Sequence, residues 1–452
     1  MRAHPYIKNT LSLAWPLAIN ALLMQSMLMV DTLLVSPLGE VSLAAMGIAT
    51  TLIAFVLGVQ MALANGSQLV LSRAIGSGRM DAVNKGFWAA LMINVAAALL
   101  FCLLLTLFSR GLIGALTDNV ALYAEAERYL TLATFIILVN AVTQVLIALF
   151  NSRGRTNVAL SGYLLELPIN VAVSYLFIHG HGGIAGIGLQ GAAAGSLVAI
   201  MVRLLYLLRA VRRDGGLVLS LKALDASVKK NAARHFREIF PVAANVVMLQ
   251  AGATLYMLLY SQLTLHAYVA MTIVMPWIKA GTLFITAWAH SAAITLSQAI
   301  GSGNMAHLDK HINVSIDMAV AISFISALLF LALSGILPDF YPTLTPATYQ
   351  ALSAIAPLYI FLPIVRGYNT VHGHILRALG KTSGVFIINF TGQWLIAIPL
   401  CALIILYFDG AFFWAFAVMP FEEIVKALPF RYLARKSLKE FDAKNARKLM
   451  YD

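Results

Sequence analysis

Charge is what this sequence has least of. Only 11% of its 452 residues are Asp, Glu, Lys or Arg, against about a quarter in an ordinary soluble domain. That scarcity excludes a conventional water-solvated surface. Cysteine is almost missing too, with Cys102 and Cys401 each inside an apolar run. Two such thiols make neither a disulfide framework nor a metal site, and small buried or lipid-facing roles are expected. There is no phosphate-binding GxxxxGK[ST] loop, no HExxH and no GxSxG. Neither ATP drive, nor an enzyme's catalytic constellation, nor a cofactor is therefore expected. The N-terminus lacks a small-residue cleavage site after a short apolar core, so the first apolar stretch is expected to be retained.

Apolar residues fill the space that charge leaves. They make up 60% of the chain, and the mean hydropathy is +0.84. Stretches such as Ala89–Phe108 hold no charge and match the roughly 20 residues that cross a bilayer core. Twelve such runs are found, near 9–35, 43–68, 87–109, 121–150, 157–178, 186–211, 236–263, 268–297, 313–337, 347–375, 384–408 and 411–433. Irregular backbone cannot face lipid, so each run is expected to be helical. The predicted fold is an all-α membrane protein of twelve transmembrane helices.

The net charge of +12 could point to nucleic acid, but its placement says otherwise. Of 31 Lys and Arg, 27 lie at alternate ends of the runs, nine of them within 203–237 and eight within 426–448. The opposite loops hold only Arg110 and Arg128, while Lys279 and Arg366 fall inside runs. The positive-inside rule then puts both termini and the central linker in the cytoplasm. The expected organisation is an N-terminal lobe at 1–212, a linker at 213–235, a C-terminal lobe at 236–433 and a basic tail at 434–452. The basic balance is a topology signal, with contact between the tail and anionic lipid as a secondary use.

An internal repeat organises the whole. Residues 71–80 read LSRAIGSGRM and residues 296–305 read LSQAIGSGNM, 225 positions later. The same offset aligns Trp15-Pro16-Leu17-Ala18-Ile19-Asn20 with Phe240-Pro241-Val242-Ala243-Ala244-Asn245. Gly154-Arg155-Thr156 answers Gly380-Lys381-Thr382 at an offset of 226. Each copy holds six runs, an even number, so the halves are parallel and related by an axis along the membrane normal. That arrangement suits a transporter that works by alternating access.

Ionisable groups in hydrocarbon cost at least ~2.5–3.5 kcal/mol each, so they are functional candidates. The first is Asp31, in MLMVDTLLVS. Low dielectric disfavours an ionised carboxylate, so a carboxyl whose solvation changes can exchange one proton and bias a conformational switch. Its repeat counterpart is Tyr256, which confines the coupling chemistry to the first half. Glu166, Asn170 and Ser174 share one face of the fifth run at i, i+4 and i+8, and Ser196 in Gly-Ala-Ala-Ala-Gly-Ser could join them. Interhelical hydrogen bonding or close packing is the plainer role for these. Pro16 lies below Asp31 and permits a kink that responds to its protonation. Arg366 could balance a cavity carboxylate. Glu422 and Glu423, close to the end of the last run, are expected in a solvated interface.

Pro16, the Val30-Asp31-Thr32 segment and the paired GSG motifs together resemble the MATE family of multidrug and toxic compound extrusion transporters, closest to its DinF-type branch. The resemblance covers nearly the whole chain. It implies proton-driven export of organic cations, dyes and antibiotics from a bacterial inner membrane, by a protein expected to act as a monomer. It also implies that Asn170 partners Asp31, with Ser196 supplying the sixth-span hydroxyl. Where DinF-type members often carry a second aspartate, this chain has Ser174. The acidic residues of NorM-type members in the seventh and tenth spans are not matched, so no sodium site is expected in the second half. A sodium-coupled alternative would rest on Asp31 and Asn170. A lipid-precursor flippase of the same superfamily is the further rival, and a channel is disfavoured by the repeat.

Overall fold

The computed structural model describes residues 5–114, 120–181, 183–214, 226–260, 262–303, 307–340, 345–408, 412–440 and 449. Residues 215–225 of the linker expected at 213–235 and most of the basic tail lie outside the described residues. The first half comprises α1 (Pro5–Val35), α2 (Glu40–Gly76), α3 (Met80–Gly114), α4 (Val120–Ser152), α5 (Thr156–His179) and α6 (Leu189–Arg213). The second comprises α7 (Ala226–Tyr260), α8 (Leu265–Gly281), α9 (Leu283–Gly301), α10 (Leu308–Phe340) and α11 (Pro346–Ala378). It ends with α12 (Thr382–Phe390), α13 (Ile398–Leu406) and α14 (Phe412–Lys439). A two-residue hairpin, β1 (Gly180–His181) and β2 (Ile184–Ala185), interrupts the helices between α5 and α6.

Ten of the described helical stretches are long and apolar enough to cross a membrane, from Val41–Gly76 to Thr382–Leu406. The first and last of the twelve expected runs fold as α1 and α14. Two runs depart from a plain helix. The run at 268–297 is α8 followed by α9, with Thr282 between them. Pro276 withholds an N–H within α8, and the Thr282 hydroxyl closes the break by donating to the Ile278 carbonyl at 2.9 Å. The run at 384–408 passes through a π-helical stretch, Thr391–Ala397, between α12 and α13. Pro399 cannot donate to the turn before it, and a Cβ on Gly392 in that stretch would collide with the Lys426 stem of α14. The wide turn thus gives Lys426 its place.

The repeat motifs prove to be turns. Gly78 and Gly303, the last glycines of the two GSG copies, have φ of 71° and 73°. Gly154 and Gly380 have 74° and 75°. At the latter pair the next amide reaches back five residues, Arg155 to Phe150 at 2.9 Å and Lys381 to Leu376 at 2.8 Å. These left-handed helix ends need glycine because any Cβ is strained there. The matched letters are backbone geometry used twice.

The chain forms two compact units, and the division falls inside α1 and α7. One unit joins residues 1–18 to 244–449, and the other holds 19–243. In the first, Tyr6 of α1 bonds to Ser315 of α10 at 2.9 Å and stacks on His311. Its core gathers Tyr256, Tyr260, Met271, Phe330 and Phe416. In the second, His235 of α7 meets Ser67 of α2 at 2.8 Å, and Glu238 pairs with Arg73. Its core includes Val35, Ala49, Ala133, Ile178 and Ala192. Alanine is the commonest residue of this second core, as suits helices that lipid gives no hydrophobic drive to associate and that are held by close backbone packing.

Candidate functional site

The close approach of α5 and α6 builds the site. A Cβ on Gly191 would collide with the backbone at Phe177, and one on Gly195 with Ser174. Those two glycines, four residues apart, let the helices touch. Ser196 follows Gly195 directly and is thereby brought to Asn170. The expectation that the small residues serve packing holds, and the same packing delivers a hydroxyl.

Asp31, on the last turns of α1, completes the group and is 9% exposed. Ser196 Oγ donates to Asp31 Oδ2 at 3.3 Å. Asn170 Nδ2 donates to Ser196 Oγ at 3.3 Å, and its side chain also engages the Asp31 carboxyl. Ser174 Oγ donates to Asn170 Oδ1 at 2.8 Å. Asp31 Oδ1 is buried without a hydrogen-bond partner among the described residues. Tyr129 of α4 is buried within electrostatic reach. His179 Nε2, at the end of α5, meets the Leu34 carbonyl at 3.2 Å and pins α1 beside the site. Asp31, Asn170, Ser174 and Ser196 therefore stand together.

Glu166 belongs elsewhere. Arg203 Nη1 donates to Glu166 Oε2 at 2.5 Å, and both side chains are 4% exposed. The guanidinium also lies 4.4 Å from the Tyr163 ring centre and reaches Asn140 and Thr143 at 3.4 Å. Asn140 continues to Gln60 at 2.8 Å. Arg203 was counted above among the basic residues of 203–237, but it is buried inside α6 and balances a carboxylate. Its signal was faint: a lone charge in LVAIMVRLLYLL, next to a run of basic residues that masked it. Pro16 lies within α1, whose helix is continuous across it.

The second half holds an ionic cluster that the sequence reading placed wrongly. Glu422 and Glu423 are buried at 6% and 7% exposure, not solvated. Lys426 Nζ lies 2.8 Å from Glu422 and 3.3 Å from Glu423. Arg366 Nε reaches Glu423 at 3.3 Å, as a balancing cation should, and Asn369 Nδ2 donates to the same carboxylate at 2.8 Å. Tyr256, the counterpart of Asp31, donates its hydroxyl to Glu422 at 2.8 Å. Burial of α14 against α11 and the π-helical stretch replaces the interface expected there.

The sequence profile of the MatE family matches residues 16–176 and 241–403. The chain belongs to the MatE family. The two matched stretches begin 225 residues apart, the offset of the internal repeat. The chain is 22% identical over 395 residues to an uncharacterized transporter, YisQ, of Bacillus subtilis, covering 87% of this chain and 86% of that one. It is 23% identical over 412 residues to the probable multidrug resistance protein NorM of Rhizobium meliloti, covering 86% and 81%. The fold is that of the Vibrio cholerae MATE transporter VcmN in its bent form, with TM-score 0.87 at 17% identity over 96% and 97% of the two chains. A Pyrococcus furiosus transporter of the MOP superfamily, described as having a binding pocket of reverse polarity, gives 0.82 at 16% identity over 97% of each. This MatE protein is thus a multi-pass membrane transporter and not an enzyme.

Proposed function

We propose that this MatE protein is a secondary exporter that exchanges cationic or amphipathic organic molecules for protons, with Asp31 as the proton-exchanging group. One observation carries the reading. Among the described residues four carboxylates are buried, and Glu166, Glu422 and Glu423 each face Arg or Lys. Asp31 has only neutral hydrogen-bonding partners and one oxygen without any. A charge held by a fixed cation stays ionised, whereas a buried carboxyl among neutral dipoles responds to its own hydration. Asn170, Ser174 and Ser196 hold it in place. Pro16, fifteen residues or about four turns earlier in α1, is where bending would couple its state to the rest of the helix.

The finer topology is part of the same proposal. Twelve spans in two parallel six-helix halves would work by alternating access, with both termini and the linker cytoplasmic and the protein in a bacterial inner membrane. The relative named for multidrug resistance supports drug-like substrates. The test is efflux from proteoliposomes under a pH gradient with sodium absent, and under a sodium gradient at fixed pH. Efflux driven by the pH gradient and reduced to the protein-free background in Asp31→Asn is expected. Efflux driven by sodium alone would replace the proton with a cation held by Asp31 and Asn170. Full activity of Asp31→Asn under both gradients would remove Asp31 from the mechanism.

A further inference from the structure

The basic end of the first half carries a built cleft that the transport reading does not use. It occupies about 360 Å³ where the end of α4 and the start of α5 face the last turns of α6. Arg155, Arg209 and Arg213 line it, over walls that include Phe150 and Ala210. A second cleft of about 360 Å³ shares Arg209 and Arg213 and continues along Leu205 and Leu208, which are 64% and 40% exposed. The single acid in the first cleft, Asp214, is already held by Arg153 at 2.8 Å and Arg155 at 2.7 Å. Arg209, Arg212 and Arg213 make no ion pair among the described residues. Cations therefore meet an apolar, outward-facing strip at one end of the bundle.

The repeat supplies the contrast. At an offset of 226, Tyr206, Arg209, Arg213 and Asp214 are answered by Tyr432, Arg435, Lys439 and Glu440. The pattern of charge is kept, but the packing at the turn differs. In the second half a Cβ on Gly384, the counterpart of Val158, would collide with Leu433, and one on Gly380 would collide with Leu449 from the chain's own end. Apolar side chains close the turn there, while in the first half the equivalent turn opens into the cleft.

We infer that the α5–α6 cleft binds an anionic glycerophospholipid, its phosphate between Arg209 and Arg213 and its apolar part along Leu205 and Leu208. Basic pockets between membrane helices at headgroup depth select acidic lipids in this way, each nearby cation adding to the attraction. The cationic lining suits a phosphate, and the exposed leucines distinguish a lipid from a free anion.

Native mass spectrometry of the purified full-length transporter, with phosphatidylglycerol and phosphatidylcholine offered in equal amounts, tests the site. Wild type should retain phosphatidylglycerol preferentially, and inorganic phosphate should not displace it. Arg209→Gln with Arg213→Gln should weaken retention roughly tenfold or more, while Arg435→Gln with Lys439→Gln leaves it unchanged. Ala210→Phe fills the cleft and keeps every arginine, and it should lose the lipid as well. Should the double arginine variant fail to reach the membrane, Ala210→Phe decides alone, and lipid retained there overturns the site. Equal loss in both double variants would mean general surface charge and overturn it too. So would indifference between the two lipids, or displacement by inorganic phosphate, which would mark a free-anion site.

Discussion

Asp31 and Tyr256 occupy equivalent places in the two halves, yet their surroundings are built on opposite rules. Around Asp31 a hydroxyl and an amide approach one carboxyl, no cation joins them, and one oxygen has no partner among the described residues. Around Tyr256 two carboxylates meet Lys426 and Arg366, and the tyrosine merely donates to the result. The first half also contains a compensated pair, Glu166 with Arg203, so compensation is not a property of one half. What differs is position 31 itself. The two scaffolds share the same turns, and only the first carries an acid at this position. A buried ion pair contributes little net stability but is costly to break, because the group left behind keeps its desolvation cost. An uncompensated carboxyl already bears that cost and loses little when neutralised.

The contrast is broken most sharply by Lys426→Met. It leaves Glu422 without a cation in the packed cluster and Glu423 with Arg366 alone, and should destabilise the protein by about 3–5 kcal/mol, read from thermal unfolding in detergent. Asp31→Asn should shift the same measurement by less than about 1 kcal/mol, since it exchanges one hydrogen-bonding group for another. Equal stability of the two variants would mean that the second-half cluster is not held by charge.

Arg203→Met should cost a similar amount, about 3–5 kcal/mol, by leaving Glu166 alone. Combined with Glu166→Leu, most of that loss should return, because an apolar pair of similar volume replaces a buried ion pair at little cost. If the double variant stays as unstable as the single, the network through Asn140, Thr143 and Gln60 holds the fold rather than the pair itself.

Tyr256→Phe removes one hydrogen bond to a charged acceptor and should cost about 1.5–3 kcal/mol. Efflux per folded molecule should survive it, in contrast to Asp31→Asn. Loss of efflux in Tyr256→Phe at normal stability would show that the second half takes part in coupling and would end the asymmetry drawn above.

The sequence made these differences unequally visible. Asp31 could be found because a lone acid in an apolar run is conspicuous, and Asn170 and Ser174 because helical spacing puts them on one face. Ser196 was marked by the glycines beside it. Arg203 was hidden by its neighbours Arg209, Arg212 and Arg213, since hydropathy does not say how deep along α6 a charge lies. Glu422 and Glu423 suffered the reverse error. Their nearness to Lys426 and Arg431 looked like a solvated end, whereas contacts with α11 and the π-helical stretch decide their burial. The hydroxyl bond of Tyr256 spans 166 positions of sequence, and no local pattern announces it. Breaks within a run, as at Thr282, are likewise set by which carbonyls find partners after folding.

The smallest effect tests the frame on which the comparison stands. Gly78 and Gly303 end α2 and α9 in the same left-handed turn, with φ of 71° and 73°. A Cβ at either would meet nothing within 4 Å. Packing therefore drops out, and only backbone conformation remains. A side chain in that region costs about 1–2 kcal/mol, partly offset by the reduced freedom of alanine in the unfolded chain, about 0.4–1 kcal/mol. Gly78→Ala and Gly303→Ala should thus each lower stability by roughly 1 kcal/mol and agree within measurement error. Equality would show that the two halves share backbone energetics where their side chains have diverged, so that the contrast between Asp31 and Tyr256 arises from side chains alone. A clear excess at one site would place part of the asymmetry in the scaffold.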